Sequence, residues 1–356
     1  MTRLTRLVTV IGGLALLSAP AYPQEGARRF EPPPAGPGAP GGPGRMGFAR
    51  GPIPPPRVGP IPGWESSAFQ KSVDLGARGT LDVSNSPGEI RVRGTDGNVV
   101  RITATKRVKE SNRDAARALM PNIVIRVTER GGGIEVFTEL PSGKNPPILV
   151  DYDIFVPMSA SVSLKSTGSI FVSNLKGELR AEAFAGHMVL SSVSRVRRAK
   201  TYGGDLAITG AEGEEVTADV GGALNMKNVR ARTVETRTIA GPSTAIDVEC
   251  ERCSLTSVSG DIDFVGALRR NARYDITTNS GNIRLVPDGI VGFDLEATTG
   301  GTLRSDYALK PTAPTSPASG GRFLRGAYGD GSAILSLKSF TGSVTVAKQA
   351  ITSGGR

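Results

Sequence analysis

The 356-residue chain is poor in the side chains on which most site chemistry is built. Aromatics make up 5% of it, with one tryptophan, and it has one histidine and two cysteines. So few rings argue against stacking platforms for single-stranded nucleic acid or sugar, and no nucleic-acid partner is expected. A Ser-His-Asp triad has only His187 to draw on, and no GxSxG nucleophile elbow occurs. Cys250 and Cys253 form a lone CxxC, with no second pair to complete a zinc site. The tandem nonapeptide of calcium-binding β-rolls is missing. GDGSA at Gly329–Ala333 supplies one aspartate where calcium takes about six oxygens or more. No cofactor or metal is therefore expected. After Leu17 there is no long apolar run, which predicts no membrane span.

What is present begins with an address. Arg3 and Arg6 precede the apolar run Leu7–Leu17, and Ala19-Pro20-Ala21 follows as a small-residue cleavage pattern. Residues 1–21 are predicted to be a secretory signal peptide, too short to span a bilayer. The mature chain is then exported: periplasmic, on the cell surface or secreted. The formal charge of +10 would fall to about +8 (10 − 2, from two arginines and no acid in the leader). In an oxidising compartment Cys250 and Cys253 read as a candidate small disulfide, or as two inert buried thiols. Residues 22–63 are dominated by proline and glycine, with too few large apolar side chains to bury a core. They predict a disordered linker, partly polyproline II.

A phrase recurs through the second half: a small polar residue, glycine, any residue, then two apolar residues one apart. It reads STGSIFV at 166–172, SGDIDF at 259–264, SGNIRL at 280–285 and TGSVTV at 341–346, with looser copies between. Its glycines fall at 168, 186, 204, 222, 241, 260, 281 and 301, so the gaps are 18, 18, 18, 19, 19, 21 and 20. A fixed period near twenty, with strand-type alternation inside each unit, predicts an all-β fold. The architecture is a β-solenoid of 18–21-residue coils. Inward residues such as Ile170, Val172, Met188 and Leu190 would stack coil on coil about 4.8 Å apart, giving a rod on the order of 40 Å long. The glycines are expected at corners that need positive φ or a close backbone approach. The residue after each glycine is Ser169, His187, Asp205, Ala223, Asp261, Asn282 and so on. Such variety predicts a solvent-facing turn.

Ahead of the repeats, residues 64–158 alternate apolar and polar residues at Gly79–Val83, Glu89–Arg93, Val99–Lys106, Ile123–Thr128, Ile134–Leu140 and Leu149–Val156. One short helix interrupts them, with Ser111 as its cap and Ala115, Ala118 and Leu119 as its apolar stripe. This segment is read as an N-terminal β-rich cap on a solenoid running over 159–347. A loop is expected at 310–325, a strand at Ser343–Ala347 that closes the rod, and a disordered tail at 348–356.

Aligning the coils on their glycines exposes a second pattern, eight to twelve residues further on. Arg195, Arg197 and Arg198 are followed in the next coil by Glu212, Glu214 and Glu215. Arg230 and Arg232 come next, then Glu249 and Glu251, and finally Arg269 and Arg270. The sign alternates from coil to coil. Opposite charges across neighbouring strands contribute roughly 0.2–1 kcal/mol each, and like charges repel, so this ladder is expected to help fix coil register. It also turns SRVRRAK at 194–200, in isolation a nucleic-acid or heparin patch, into an internally neutralised face.

Reactive groups are harder to gather. Asp261 and Asp263 point the same way on one strand, yet neighbouring coils carry Ala223 and Asn282 at the position of Asp261. The acid cluster that a polysaccharide hydrolase or lyase needs is thin. Four pieces in order do carry a resemblance. They are NSPGEIRVRGTDGNVVRITATKR at 85–107, DYDIFVPMSASVSLKSTGSIFV at 151–172, the SGDI and SGNI repeats, and RGAYGDGSAILSLKSFTGSVTV at 325–346. Over roughly 73–346 the chain resembles the bacterial putative-adhesin β-strand-repeat proteins, a domain of unknown function. The resemblance implies an exported or envelope-associated β-solenoid and no activity. The expected function is a non-catalytic scaffold or adhesin-like binding module of the bacterial envelope, with an envelope polymer or protein as partner. A carbohydrate-active enzyme on the same architecture is the alternative. An exposed terminal strand would also permit edge-to-edge self-association.

Overall fold

A computed structural model describes residues 61–349 except 77, 87, 144–145, 290 and 313–320. The expected signal peptide, the linker up to residue 60 and the tail from residue 350 lie outside the described residues.

Alternation of apolar and polar residues makes strands almost throughout. The N-terminal part holds β1 (Glu65–Asp74), β2 (Thr80–Asn85), β3 (Ile90–Thr95), β4 (Val99–Val108), the helix α1 (Arg113–Leu119), β5 (Val124–Arg130), β6 (Gly133–Glu139) and β7 (Ile148–Pro157). The repeats give β8 (Ser161–Ser166), β9 (Ile170–Leu175), β10 (Leu179–Ala183), β11 (Met188–Thr201), β12 (Leu206–Thr209), β13 (Glu212–Val220), β14 (Leu224–Ala240), β15 (Ser243–Glu249), β16 (Arg252–Ser259), β17 (Ile262–Ala267), β18 (Arg273–Ser280) and β19 (Ile283–Asp288). The chain finishes with β20 (Phe293–Thr299), β21 (Leu303–Ser305), β22 (Arg322–Tyr328), β23 (Ala333–Ser339) and β24 (Val344–Val346).

Each coil contributes one strand to each of two parallel ladders. One ladder runs β3, β9, β11, β12, β14, β15, β17, β19. The other runs β2, β8, β10, β11, β13, β14, β16, β18. Strands β11 and β14 run round a corner and serve both. The fold is the all-β solenoid that the period predicts. Inward side chains stack in register: Ile170, Met188, Leu206 and Leu224 on one ladder, Val162, Leu179, Val196 and Val216 on the other, all buried in one core. Fully burying such a side chain is worth about 1.5–3 kcal/mol, and here every coil adds several. Phe264 of β17 meets Tyr274 of β18 edge to face across this core, centroids 5.5 Å apart.

The repeat glycines stack directly on one another. A Cβ on Gly204 would collide with the carbonyl of Gly186, and one on Gly281 with the carbonyl of Gly260. Close backbone approach is thus what the column requires. A second corner needs something else. Asn174, Ser192, Gly210, Asn228 and Asp247 lie 18, 18, 18 and 19 residues apart, all with φ between 53° and 66°. This left-handed conformation suits glycine, asparagine and aspartate. The sequence carried that signal, but in residue types that vary from coil to coil.

Both ends depart from chain order. β2 and β3 are inserted between β6 and β7 on one side and β8 and β9 on the other. They are interior rungs of the rod, continuous with the repeats. At the far end β23 lies between β18 and β20, and β24 between β19 and β21. The strand expected to close the rod is therefore internal. β20, β21 and β22 close it instead, because the chain overshoots and then returns into the gap. β22 occupies residues 322–328, inside and just beyond the expected loop, and pairs antiparallel with β20. At the other end β1 and β5 are the outermost strands, antiparallel to β4 and β6. Lys348 donates its backbone N–H to Asp306 (3.1 Å), so the start of the expected tail is tied down.

The helix cap is Asn112, one residue later than expected. Its side chain accepts from the N–H groups of Asp114 (2.9 Å) and Ala115 (3.4 Å). The Ser111 hydroxyl turns to Glu110 instead. Ala116 and Met120, four apart, are the buried pair, while Ala115 and Ala118 face outward.

Candidate functional site

The charged rows sit at the turn between the two ladders. Arg197 lies 3.0 Å from Glu215 and 3.4 Å from Glu178 of the preceding coil. Arg230 stands between Glu212 (4.0 Å) and Glu249 (3.3 Å), and Arg232 between Glu214 (4.0 Å) and Glu251 (3.2 Å). Three columns of alternating sign result, one of them reaching back to Glu178. The remaining arginines go elsewhere. Arg195 has φ 55° and Arg198 pairs with Glu182 at 3.5 Å. Arg269 and Arg270 fall in a longer coil beside the inserted β23. Arg270 reaches Asp330 (2.9 Å), whose carboxyl is held below its ordinary range first by the Ser332 hydroxyl and N–H. The last row thus leaves the ladder because chain order and stack order part there.

Cys250 and Cys253 are bonded in a disulfide, Cα atoms 5.9 Å apart, at the turn between β15 and β16. Both are buried, and Cys253 takes an inward core position between Val234 and Tyr274. No sulfur is presented to solvent there for chemistry.

The residue after each repeat glycine is not an idle solvent turn. It forms a column in which each side chain accepts the backbone N–H of its counterpart one coil on. Ser169 Oγ accepts from His187 (3.2 Å), His187 Nδ1 from Asp205 (3.1 Å) and Asp205 Oδ1 from Ala223 (2.8 Å). Past the middle, Asp261 accepts from Asn282 (2.7 Å) and Asn282 from Ser343 (2.9 Å). Ala223 offers no acceptor, and its counterpart on the next coil, Pro242, has no N–H to satisfy. The side chain at this position is an acceptor in most coils, and the column is interrupted at Ala223 and Pro242. His187 uses Nδ1 as an acceptor, so its proton sits on Nε2. Asp263 is held by Arg284 at 3.0 Å. The acids most suggestive of sugar chemistry are engaged in the stack.

A charged cluster near the N-terminus was harder to see in sequence. Arg107 and Asp151 form a buried ion pair, and Asp151 also accepts the Glu89 N–H (2.8 Å). Arg91 lies 3.4 Å from Asp153 and Arg93 stands over the Phe155 ring. Burial lowers the Lys106 ammonium pKa. Its only signal was DYD alternating with apolar residues. Deeper still, the Tyr152 hydroxyl bonds Thr138 (2.6 Å), whose hydroxyl donates to Asn85 Oδ1 (3.2 Å). Burial pushes the Tyr152 phenol up to about 12.

Open concavities lie on the outer face of β6, β2, β8 and β10. One cleft of about 420 Å³ is lined by Thr80, Asp82, Arg130, Glu135, Ser163 and Lys165 among others. A smaller one of about 150 Å³ adjoins it, with Ser161, Glu178 and Arg180. Hydroxyls and charges of both signs line them. Among the described residues no group of three His, Cys, Asp or Glu side chains is placed to hold a metal ion, and no helix is long and apolar enough to cross a membrane.

Two ladders of parallel strands with stacked corners define a β-solenoid whose outer faces are polar. Residues 198–320 match the family described as Toastrack DUF4097, which supports the resemblance to the bacterial putative-adhesin proteins of unknown function. Nothing among curated proteins matches. Among solved structures the chain is similar to a putative adhesin from Bacteroides fragilis NCTC 9343, at 14% identity over 79% of this chain and 97% of that one, TM-score 0.36. It is also similar to a putative adhesin from Parabacteroides distasonis ATCC 8503, at 12% identity over 79% and 97%, TM-score 0.39. A third is a putative cell adhesion protein from Clostridium sporogenes ATCC 15579, at 11% identity over 80% and 100%, TM-score 0.21.

Proposed function

We propose that this chain is a non-catalytic, adhesin-like binding module of the bacterial envelope, exported by the signal at residues 1–21. It uses the outer face of β6, β2, β8 and β10 to hold a hydroxylated envelope polymer. The observation that carries the reading is the pair of adjoining clefts on that face. Their Ser and Thr hydroxyls, together with Asp82, Glu135 and Arg180, offer donors and acceptors along a shallow, open track. Polar tracks of this kind suit an extended chain of hydroxyl groups better than an apolar ligand. The engagement of Asp261 by Asn282 and of Asp263 by Arg284 weighs against the carbohydrate-active alternative.

Purified protein incubated with a panel of cell-wall and capsular polysaccharides tests this. Saturable retention on one of them, at least several-fold weaker in Asp82→Ala/Arg180→Ala, is the expected result. New reducing ends or unsaturated products would make the chain an enzyme and overturn the reading.

A further inference from the structure

Several of the large apolar side chains left exposed fall in one line along this rod, which Phe340 continues beyond Asn279, while Val99, Val124, Leu140 and Ile334 lie elsewhere. Phe184, Tyr202, Ile239 and Val258 occupy one corner line just ahead of the repeat glycines, at 48%, 47%, 55% and 45% exposure. Strand register places Thr167 before Phe184 on that line, and Gly221 between Tyr202 and Ile239. Phe184 and Tyr202 stack face to face, centroids 4.7 Å apart. Beyond Phe184 the line runs into a mainly apolar hollow of about 300 Å³, lined by Ser86, Thr167 and Phe137 among others. Beside the corner runs a column of charges: Lys165, Glu182, Lys200, Asp219, Arg237.

We propose that this corner is the self-complementary interface of a two-fold dimer, in which two rods lie antiparallel and Ile239 of each fills the hollow of the other. A two-fold axis between the Phe184 and Tyr202 rungs, lying in the interface, reverses the rod direction and keeps each column facing its own kind. Tyr202 then meets Phe184 of the second copy. Lys200 meets Glu182, and Asp219 meets Lys165, so both charge contacts are opposite in sign. Gly221 meets Thr167, which leaves room, and Ile239 arrives at the level of Ser86, in the hollow. Every contact occurs twice, as an isologous interface requires. Alternating charge alone would serve each rod's own register. It does not call for a β-branched apolar side chain at the rung that mirrors an apolar hollow.

The overlap spans eight rungs, from Phe137 to Val258, or about 34 Å at about 4.8 Å between rungs. Two columns over that length involve fewer residues than the 20–30 a side of a standard interface. The dimer is therefore a weak one, with a dissociation constant in the micromolar range. It shares Lys165 with the rim of the larger cleft proposed to hold polymer, but not Asp82 or Arg180, and it leaves the strand edges at the rod's ends free.

Sedimentation equilibrium of the purified full chain between about 1 and 200 μM tests it. A monomer–dimer equilibrium is expected. Ile239→Glu, at an exposed site, should leave the melting temperature nearly unchanged and weaken the dimer at least ten-fold. Lys165→Asp should weaken it several-fold, and adding Asp219→Lys should restore it, since the pair is exchanged across the axis. Asp82→Ala/Arg180→Ala should leave it unaltered. A monomer throughout that range overturns the proposal, as does a dimer indifferent to Ile239→Glu. So does a monomer whose retention on lipid vesicles or polysaccharide is lost in Ile239→Glu, which would give the corner to another occupant.

Discussion

The middle of the rod and its two ends are built by different rules. From β8 to β19 each coil rests on the one before it in the chain, 18–21 residues away, and the same few positions repeat their roles. At the ends the neighbours are remote. The Ser166 hydroxyl donates to the carbonyl of Gly88, 78 residues earlier, and the Ser343 N–H donates to Asn282, 61 residues earlier. Closing longer loops costs more chain entropy, though only slowly with length. What the ends gain is enclosure: an inserted coil has neighbours on both sides before the rod stops. A solenoid held only by nearest neighbours frays from its tips, and capping elements resist this. The difference teaches that repetition extends this fold and that long-range insertion terminates it.

The C-terminal insertion is where loss of one side chain should act most strongly. Leu335 is fully buried on β23 between Tyr274 of β18 and Leu295 of β20. Leu335→Ala should cost about 2–5 kcal/mol. Hydrogen exchange should show protection lost across β20 to β24 while β11 to β16 keep theirs. Equal loss along the whole rod would mean that ends and middle unfold as one unit.

At the N-terminal end the test is alkaline. Tyr152 is raised from its ordinary value near 10 to about 12, chiefly by burial. The folded state therefore keeps the phenol proton that the unfolded chain gives up. Its contribution is complete below about pH 10 and is lost as pH rises through about 12, on the order of 2–3 kcal/mol from the two-unit shift. Tyr152→Phe, measured by denaturant unfolding at pH 8 and 11.5, should be less stable than the parent at the lower pH and lose that deficit at the higher. A constant difference between the two proteins would remove Tyr152 as the cause.

The smallest effect belongs to the middle. Reversing Glu214 and Glu215 to lysine sets them against Arg232 and Arg197. These pairs are exposed, so together they are worth roughly 1 kcal/mol at low salt. In about 1 M salt, where the screening length is about 3 Å, most of that should vanish. A melting-point change that ignores salt would show that the ladder does not act through charge.

Much of the middle was legible because one period governs it. Ile170, Met188 and Leu206 announced themselves by spacing, and so did Arg197 with Glu215 and Arg230 with Glu212. Arg269 and Arg270 continued the pattern on paper and broke it in space, since the coil that follows them in the chain is not the one beside them. Asn174, Asn228 and Asp247 share a left-handed corner with Gly210, but no single letter marks that column. His187 looked like an interchangeable turn residue, although its role as an acceptor is visible only once Asp205 is seen to donate to it. Asn112 displaced Ser111 as the helix cap by one residue, a margin that local pattern rarely resolves.

By itself the sequence determined the period, the inward and outward faces of each strand, the placement of the cysteines within one turn and the alternation of charge. All of these are relations between residues within about twenty positions, which chain chemistry sets directly. Tertiary structure alone decided the order of coils at the two ends, the acceptor column at the glycine corner, the clefts on the outer face, and the hollow that faces Ile239 across a two-fold axis. These depend on which distant segments become neighbours, and the shared core and backbone hydrogen bonds of the whole rod settle that choice.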